Sequence, residues 1–365
     1  MKLTALHTAH KNLNAKMGEF AGYDMPLYYE AGVMAEHEWV RTQAGLFDVS
    51  HMGQIILEGP GAAQFWERIT PSAFTKTRHG RAKYTVLTNK NGGIIDDLII
   101  TRLTDEKFYA VLNAGCKDND IKWIKSHLPP SLSFEYLEEQ ALMALQGPAA
   151  QAIMFEEFGL DLDDMEYMTG QHVDLHGTKA FISRLGYTGE DGFELSVPAH
   201  KAAGIWNGIL SHDQVKPIGL AARDSLRLEM GYCLYGHDID ETTTPVEADL
   251  QWIIGKENRD FIGAAIVRGQ METGPTRKRI GVKLLDKGVA REGTVLRDES
   301  GNEVGKLTSG GFSPTLKISV GQGYVDAAYS AAGTKIIADV RGRAIPAQVC
   351  RMPFVTAKTK IAKAA

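Results

Sequence analysis

The sequence predicts an α+β protein of two or three domains that ends in a small all-β domain. Its 365 residues correspond to two or three domains of ordinary size, and 44% hydrophobic with 23% charged residues is typical of a soluble globular chain. Antiparallel strand patterns alternate with helical patterns over residues 53–137. From about residue 275 onward, short strand patterns separated by glycine turns replace them.

The individual elements follow from hydrophobic periodicity and turn residues. Helices are expected at 34–44, 61–69, 117–128, 200–211 and 219–230. Strands are expected at 82–88, 94–103 and 107–113, and in the LSFEYLE stretch at 132–138. Two further strands are joined by the glycine-rich turn of GYTGEDGFEL at 186–195.

Composition excludes several classes of protein. A formal net charge of -5 argues against nucleic acid as the main partner, and no apolar stretch approaches the roughly 18 residues of a membrane span. Three separated cysteines, without a C-x-x-C or H-E-x-x-H motif, indicate neither a disulfide framework nor a standard zinc site. The N-terminal segment lacks the apolar core of a secretory signal, so a cytoplasmic location is expected.

The run NGGIIDDLII at 91–100 places two adjacent carboxylates inside a hydrophobic strand. Side chains alternate between the faces of a strand, so Asp96 is expected to share a face with Ile94 and Leu98, and Asp97 to share the other with Ile95. Neither face is polar. An acid on an apolar face needs compensation or keeps its proton, which is how a reactive carboxyl is often built. Exposure of both acids at the end of a hairpin is an equal alternative.

One acidic and two basic positions also admit a ligand interpretation. Glu194 alternates with apolar neighbours, so it is either solvated, which the decapeptide alone favours, or it accepts a pair of N–H donors in a pocket. Arg223 and Arg227 lie four residues apart on one expected helix face, where Asp224, Glu229 or an anionic ligand would offset their repulsion.

Four other residues have both an ordinary and a functional interpretation. His51 is more often a structural histidine than a base, and Met52 more often a core residue than a wall of a binding site. Tyr84 and Asn113 stand at strand positions where packing and capping explain them equally well.

Long motifs in a fixed order resemble the T-protein family of the glycine cleavage system, the aminomethyltransferases. They are MGEFAGYDMPLYY, GLFDVSHMG, KYTVLTNKNGGIIDDLI, ALQGPAAQ, GYTGEDGFEL, GLAARDSLRLEMGYCLYGHDIDETTTP and TSGGFSPTL. The resemblance extends from about Leu6 to Phe354 and begins too close to Met1 to leave room for a mitochondrial presequence.

The resemblance implies a three-domain cloverleaf around a central folate site. The first domain is discontinuous, residues 1–52 plus 138–270, and binds folate; residues 53–137 form an inserted α+β domain that carries the active-site acid. Residues 275–365 form a C-terminal β domain of jelly-roll or barrel type.

The resemblance also implies a reaction, in which an aminomethyl group on the lipoyl arm of H-protein passes to tetrahydrofolate with release of ammonia. Tetrahydrofolate is a co-substrate, and no metal is implied. By carry-over, Asp97 is the acid beside the reacting folate nitrogens and Glu194 binds the pterin edge. The pocket is lined by Arg223, Tyr84, Asn113, Tyr187 and Met52.

Two further contacts are expected, one with the folate glutamate tail and one with H-protein. The tail PFVTAKTKIAK lacks arginines that other members carry, so Lys358 or Lys360 is expected to replace them at the folate glutamate tail. H-protein is expected to dock on the basic segment at 276–293, with Arg291 as the leading residue.

Two other functions remain open. A tetrahydrofolate-dependent demethylase of the same fold would share the cofactor, although the GGIIDDLI and GYTGEDGFEL motifs together favour aminomethyl transfer. A non-enzymatic folate-binding protein of iron–sulfur maintenance is disfavoured, because Cys233 in MGYCLYGHDID is displaced from the K-G-C-[YF]-x-G-Q-E pattern of that class.

Overall fold

The computed structural model of the protein describes residues 1–360. Its helices are α1 (His7–Asn12), α2 (Val33–Thr42), α3 (Ala62–Ile69), α4 (Lys117–His127), α5 (Ala150–Phe158), α6 (Ala199–Leu210), α7 (Leu220–Glu229) and α8 (Ala264–Thr273). The five helices expected from the sequence are confirmed to within one or two residues, a difference that helix ends commonly show.

Strands make up most of the remaining regular structure. They are β1 (Lys16–Phe20), β2 (Tyr23–Tyr28), β3 (Ala44–Asp48), β4 (Gly53–Glu58), β5 (Ala82–Thr88), β6 (Ile94–Arg102), β7 (Lys107–Leu112), β8 (Ser133–Tyr136), β9 (Gln140–Gln146), β10 (Thr169–Leu175), β11 (Thr178–Arg184), β12 (Gly192–Pro198), β13 (Val215–Pro217), β14 (Arg277–Leu284), β15 (Val295–Arg297), β16 (Glu303–Ser313), β17 (Ile318–Asp326), β18 (Lys335–Val340) and β19 (Arg343–Cys350). The strands expected between residues 82 and 138 correspond to β5, β6, β7 and β8.

An antiparallel five-stranded sheet has the order β5-β6-β7-β4-β8. Helices α3 and α4 cover one face of it, where Trp66, Ile124 and Leu98 belong to one buried apolar cluster. Because β6 lies between β5 and β7, its backbone is bonded on both sides, and its side chains are held at fixed positions.

A β-bulge near the start of β6 changes the faces of the sheet on which two isoleucine side chains lie. The register of β5 and β6 shifts so that Ile95 has no partner in β5, and such an extra residue reverses the alternation of faces. Ile95 therefore joins Leu98 in the cluster under the helices, while Ile94 joins the cluster on the opposite face. The expected placement of these two isoleucines was wrong. Beyond the bulge, Asp96 and Asp97 follow the regular alternation.

A six-stranded sheet has the order β10-β11-β12-β9-β3-β13, in which only the pair β13 and β3 is parallel. Helices α5 and α6 pack on this sheet, and Trp206 and Met154 are fully buried in its core. Strand β12 lies between β11 and β9, with the loop from β11 to β12 at its N-terminal end. Strand β12 and this loop carry Glu194 and Tyr187, respectively.

The C-terminal strands form a closed barrel in the order β14-β17-β16-β15-β18-β19. Its interior is apolar, with Leu296, Leu307 and Ala338 buried. The predicted α+β class with an all-β C-terminal domain is confirmed, and the β domain is a barrel. The proposed domain boundaries stay predictions. Within residues 1–360, no helix has the length and apolar character needed to cross a membrane.

Candidate active site

Three adjacent strands bring Asp97, Tyr84 and Asn113 together. Asp97 lies on β6, Tyr84 on β5, and Asn113 directly after β7. The Asn113 side-chain nitrogen Nδ2 donates to Asp97 Oδ1 at 2.9 Å and to the Asp97 carbonyl at 2.9 Å. The Tyr84 hydroxyl lies within hydrogen-bonding reach of the same carboxyl. Asp97 is therefore oriented from both neighbouring strands.

The carboxyl of Asp97 has an unusually high pKa for an aspartate. Burial raises the pKa of Asp97 to about 7, and the negative charge of Asp96 contributes to the same increase, while donation from Tyr84 and Asn113 opposes it. Its protonated and ionised forms are thus both populated near neutral pH. A carboxyl with this property can accept or return a proton, and its ionised form can stabilise a cation.

Asp96 points away from Asp97, towards α4. It is fully buried and accepts hydrogen bonds from Asn113 Nδ2 at 3.0 Å and from the Asn113 backbone amide at 3.3 Å. Asn113 therefore contacts both carboxyls of the pair. The two adjacent acids have different surroundings, as the strand alternation predicts.

Glu194 is a buried carboxylate without a protein donor. It lies on β12, its side chain is 8% exposed, and no group within residues 1–360 donates a hydrogen bond to it. Burial raises the pKa of Glu194, and the positive charge of Arg223 opposes that increase. The interpretation of Glu194 as a solvated side chain was wrong. A carboxylate in such a place is suited to accept N–H groups of a ligand.

Arg223 and Arg227 differ in their surroundings although both lie on α7. Arg227 is bonded to Asp224 and Asp238, each at 2.8 Å, whereas within residues 1–360 the Arg223 guanidinium donates no hydrogen bond. The expected pairing with Asp224 is confirmed for Arg227. The expected role of Glu229 was wrong, because its carboxylate binds Arg41 from α2 at 2.8 Å.

Tyr187 joins the two parts of the site. Its ring centroid lies 4.7 Å from the Arg223 guanidinium carbon, and its ring stacks on Tyr232 at a centroid distance of 5.7 Å. Its hydroxyl donates to the carbonyl of Cys233. Burial raises the pKa of Tyr187, and the charges of both Asp97 and Arg223 also affect that pKa. Tyr187 therefore lies between the Asp97 and the Arg223 ends of the site.

Four side chains of this site are half-buried although they come from different elements: Asp97, Tyr84, Tyr187 and Arg223. From this shared partial exposure we infer that they line one cavity of the site.

Two structural requirements explain the glycines of GYTGEDGFEL, namely a left-handed backbone conformation and close packing. Gly189 has a φ of +78°, in the left-handed region where a side chain is disfavoured. All three glycines are also closely packed, since an added Cβ would lie 2.2 Å from Met230 Sδ at Gly189, and 1.8 Å and 2.6 Å from atoms of the buried Gln146 side chain at Gly186 and Gly192. The segment therefore passes close to β9 before β12 begins and carries Tyr187 into the cavity.

His51 and Met52 lie next to this cavity. His51 is buried and its Nδ1 has no hydrogen-bond partner within residues 1–360. Burial lowers the pKa of His51 to about 4, and the charges of Arg223 and Lys117 lower it further against the effect of Asp48. His51 is thus neutral at pH 7. Met52 packs against an apolar cluster that includes Leu226 on α7.

The structure adds residues that the sequence interpretation missed. Trp252 is 69% exposed and stacks on Tyr84, with ring centroids 5.8 Å apart, at the outer end of the site. Asp120 on α4 is fully buried beside Asp96. No local signal distinguishes either residue, because Trp252 belongs to a short 3-10 turn and the neighbours of Asp120 come from a different strand.

Residues expected to contact a folate tail or a partner have other surroundings. Lys358 pairs with Glu190 and Lys360 with Asp163, each at 3.3 Å, so protein carboxylates already engage both. Arg291 is exposed in the loop before β15. Within residues 1–360 no carboxylate lies within 4 Å of its guanidinium.

The basic segment around Arg291 is less open than its sequence indicates. Arg279 is buried and donates to the Gln322 side chain at 2.6 Å, so it cannot act as a surface charge. Lys278 pairs with Asp249 at 3.0 Å. At least two basic residues of the segment are therefore engaged within the protein, and H-protein docking at Arg291 stays a prediction.

Two family models match this chain. The GCVT N-terminal domain matches residues 6–258, and the glycine cleavage T-protein C-terminal barrel domain matches residues 277–356. The second match covers the strands of the closed barrel.

Individual relatives are similar over nearly the whole chain. A mitochondrial aminomethyltransferase of Dictyostelium discoideum is 42% identical, over 99% of this chain and 94% of that protein. An aminomethyltransferase of Flavobacterium psychrophilum is 42% identical, over 97% and 99%. The crystal structure of glycine cleavage system aminomethyltransferase T from Bartonella henselae has a TM-score of 0.94 at 40% identity, over 98% of this chain and 99% of that one.

Proposed function

The chain belongs to the glycine cleavage T-protein family, and on this premise we propose that it transfers an aminomethyl group from lipoylated H-protein to tetrahydrofolate. The observation that carries the proposal is a set of buried or half-buried charged side chains, Asp97 together with Glu194 and Arg223, that Tyr187 connects. The pKa of Asp97 is raised to about 7, and neither Glu194 nor Arg223 has a hydrogen-bonding protein partner within residues 1–360.

The Glu194 end of the cavity suits the pterin of tetrahydrofolate. An aminopyrimidine presents adjacent N–H donors along one edge, and a carboxylate accepts such a pair in a charge-assisted arrangement. Arg223 adds a cation with unused hydrogen-bond donors, and its guanidinium is held beside the Tyr187 ring. These residues would orient the reacting folate nitrogens towards Asp97.

The Asp97 end suits the transfer step. The bond between the lipoyl sulfur and the methylene carbon breaks, bonds from two folate nitrogens to that carbon form, and ammonia leaves. The two protons lost by the folate nitrogens equal those gained by ammonia and the lipoyl thiol. Positive charge develops on the methylene–nitrogen unit, which an ionised carboxylate stabilises in a dry cavity. A pKa of about 7 also allows Asp97 to accept a folate proton and pass it on.

H-protein is the proposed donor, and Arg291 is the residue we propose for its docking. Carrier domains of this kind tend to be acidic, and Arg291 presents an exposed guanidinium without a carboxylate within 4 Å in residues 1–360. Opposite charges at the rim of an interface mainly raise the association rate.

The function is tested by incubating the protein with aminomethylated H-protein, with and without tetrahydrofolate. We expect ammonia and methylene-tetrahydrofolate to form in equal amounts, and ammonia release to fall sharply when tetrahydrofolate is omitted. H-protein without its lipoyl group serves as the control. Transfer of a methyl group from dimethylsulfoniopropionate, without activity on aminomethylated H-protein, would instead assign the chain to the demethylases.

A further inference from the structure

A second buried acid lies behind the Asp97 site. Asp120 is in the first turns of α4, which packs on the face of the sheet opposite to Asp97. Asp96 and Asp120 are both 0% exposed, and their carboxyl groups face each other within hydrogen-bonding reach. Asp118 lies two residues before Asp120 on the same helix. Its side chain is exposed, so it serves as a control for the buried Asp120.

The two facing carboxyls differ in their donors. Asp96 accepts from Asn113 Nδ2 at 3.0 Å and from the Asn113 amide at 3.3 Å. Within residues 1–360, neither oxygen of Asp120 has a hydrogen-bond donor. No Lys, Arg or His nitrogen of this part of the chain lies within 4 Å of either carboxyl.

Two ionised carboxylates cannot stably face each other in a dry interior without a donor between them. We propose that Asp96 and Asp120 share one proton, which Asp120 carries while its O–H group donates a hydrogen bond to the ionised Asp96. Asp120 is thereby a positioning residue for Asp97. The assignment follows from the donors: Asp96 has the hydrogen bonds that stabilise an anion, and Asp120 has none. The consequence for catalysis rests on the proposed function, whereas the shared proton does not.

The pair is connected to Asp97 through Asn113. The same Nδ2 group that binds Asp96 donates to Asp97 Oδ1 at 2.9 Å. When Asp96 is ionised, only the Asn113 side-chain amide separates its negative charge from Asp97. This charge disfavours ionisation of Asp97. In agreement, burial and then the charge of Asp96 raise the pKa of Asp120 to about 11, and the charge of Asp96 also raises the pKa of Asp97.

The groups that face the pair come from several elements. They are Asp97 on β6, Cys116 before α4 and Tyr235 in the loop after α7, with Glu241 near Tyr235 and Tyr84 on the far side of Asp97. All of these are acidic or neutral, so the field at Asp120 favours its protonated form. The acid pair therefore keeps its proton across the neutral range.

The first test measures protons released on unfolding. The folded pKa of Asp120 is raised above the unfolded value of roughly 3.9, so its stabilising contribution is complete below that value and is lost as the pH rises through about 11. At pH 9 the wild type should release one more proton on unfolding than Asp120→Asn or Asp120→Ser. The matched control Asp118→Asn should release as many protons as the wild type. Equal release by wild type and both Asp120 variants would overturn the proposal.

The second test separates the two members of the pair by the pH profile of kcat. Asp120→Ala leaves Asp96 without its donor at position 120, so it should favour protonation of Asp96 and move the limb set by Asp97 to lower pH. Asparagine at position 120 still donates a hydrogen bond to Asp96, so Asp120→Asn should restore the wild-type profile. Asp96→Asn removes the anion and should move the limb set by Asp97 to lower pH by roughly one unit or more. A shift of the same size in Asp120→Asn would place the charge on Asp120 and contradict the assignment. A wild type without transferase activity would refute the proposed function but leave the proton-release test valid.

Discussion

Arg223 and Arg227 lie one turn apart on α7, yet they occupy opposite kinds of surroundings. The Arg227 guanidinium is bonded to Asp224, Asp238, the Ser309 hydroxyl and the Tyr232 carbonyl at 2.8 to 3.1 Å. The Arg223 guanidinium has no hydrogen-bonding partner within residues 1–360 and lies beside the Tyr187 ring.

The difference extends to the acids near each arginine. Asp238 is fully buried and accepts from Arg227, Ser309 and Gln322, so the charged cluster between α7 and the barrel is satisfied by protein. Glu194 is buried to a similar extent but has no protein donor within the described chain. Buried charges that are completely bonded hold elements together, whereas buried charges left open point to a ligand.

The largest effect is expected at Asp97, in the candidate active site. Asp97→Asn should lower turnover by roughly 10² to 10⁴ fold, because the substitution removes both the proton acceptor and the negative charge. Ammonia release at saturating substrates measures this effect. Asp118→Asn, which changes an exposed acid in the same way, should have wild-type turnover. Full activity of Asp97→Asn would remove Asp97 from the mechanism.

A large effect on stability is expected at Arg227, in the charged cluster between α7 and the barrel. Arg227→Leu leaves Asp238 buried without its cation and should lower the free energy of unfolding by about 3–5 kcal/mol. Denaturant unfolding of the variant measures this loss. Arg223→Leu, on the same helix, should lose much less, and similar losses for the two variants would contradict the distinction between the regions.

The open acid Glu194 should affect binding more than stability. Glu194→Gln replaces a charge-assisted pair with a neutral and partly mismatched one, so tetrahydrofolate affinity should fall by roughly 1–3 kcal/mol. Calorimetric titration measures the change, while turnover of the bound complex should change less. An unaltered dissociation constant would show that the pterin edge does not contact Glu194.

The smallest effect is expected outside the cavity, at Arg291. Arg291→Glu should raise the apparent KM for aminomethylated H-protein, most strongly at low ionic strength, because rim charges are screened over about 10 Å at 0.1 M salt. Arg343→Glu makes the same charge change on another exposed part of the barrel and should have little effect. Loss of tetrahydrofolate binding in Arg291→Glu, with normal dependence on H-protein, would place the docking surface elsewhere.

Local patterns predicted the elements well, since each depends on neighbouring residues. The period of two along β6 placed Asp96 and Asp97 in different surroundings, and the helical period placed Arg223 and Arg227 on α7. The bulge at Ile95 escaped prediction because it is a property of the pairing with β5 rather than of the strand itself.

Contacts between distant segments could not be predicted from spacing. The pairing of Asp120 with Asp96, the stacking of Trp252 on Tyr84 and the burial of Arg279 each depend on how separate elements pack. The same limit explains why Glu194 was favoured as solvated: its neighbours in sequence are apolar, but the arginine that shares its cavity is on α7. The roles of the site residues in the reaction stay predictions.

Calorimetric titration of tetrahydrofolate into Arg223→Gln tests the central claim most directly, because the Arg223 guanidinium has no hydrogen-bonding partner to lose within the described chain. We predict that the variant melts within a few degrees of the wild type and binds tetrahydrofolate at least about tenfold more weakly, as expected for loss of one charge-assisted contact. An unchanged affinity would contradict the assignment of the open charges to the ligand. A melting temperature lowered as far as that of Arg227→Leu would show that Arg223, too, is a structural charge.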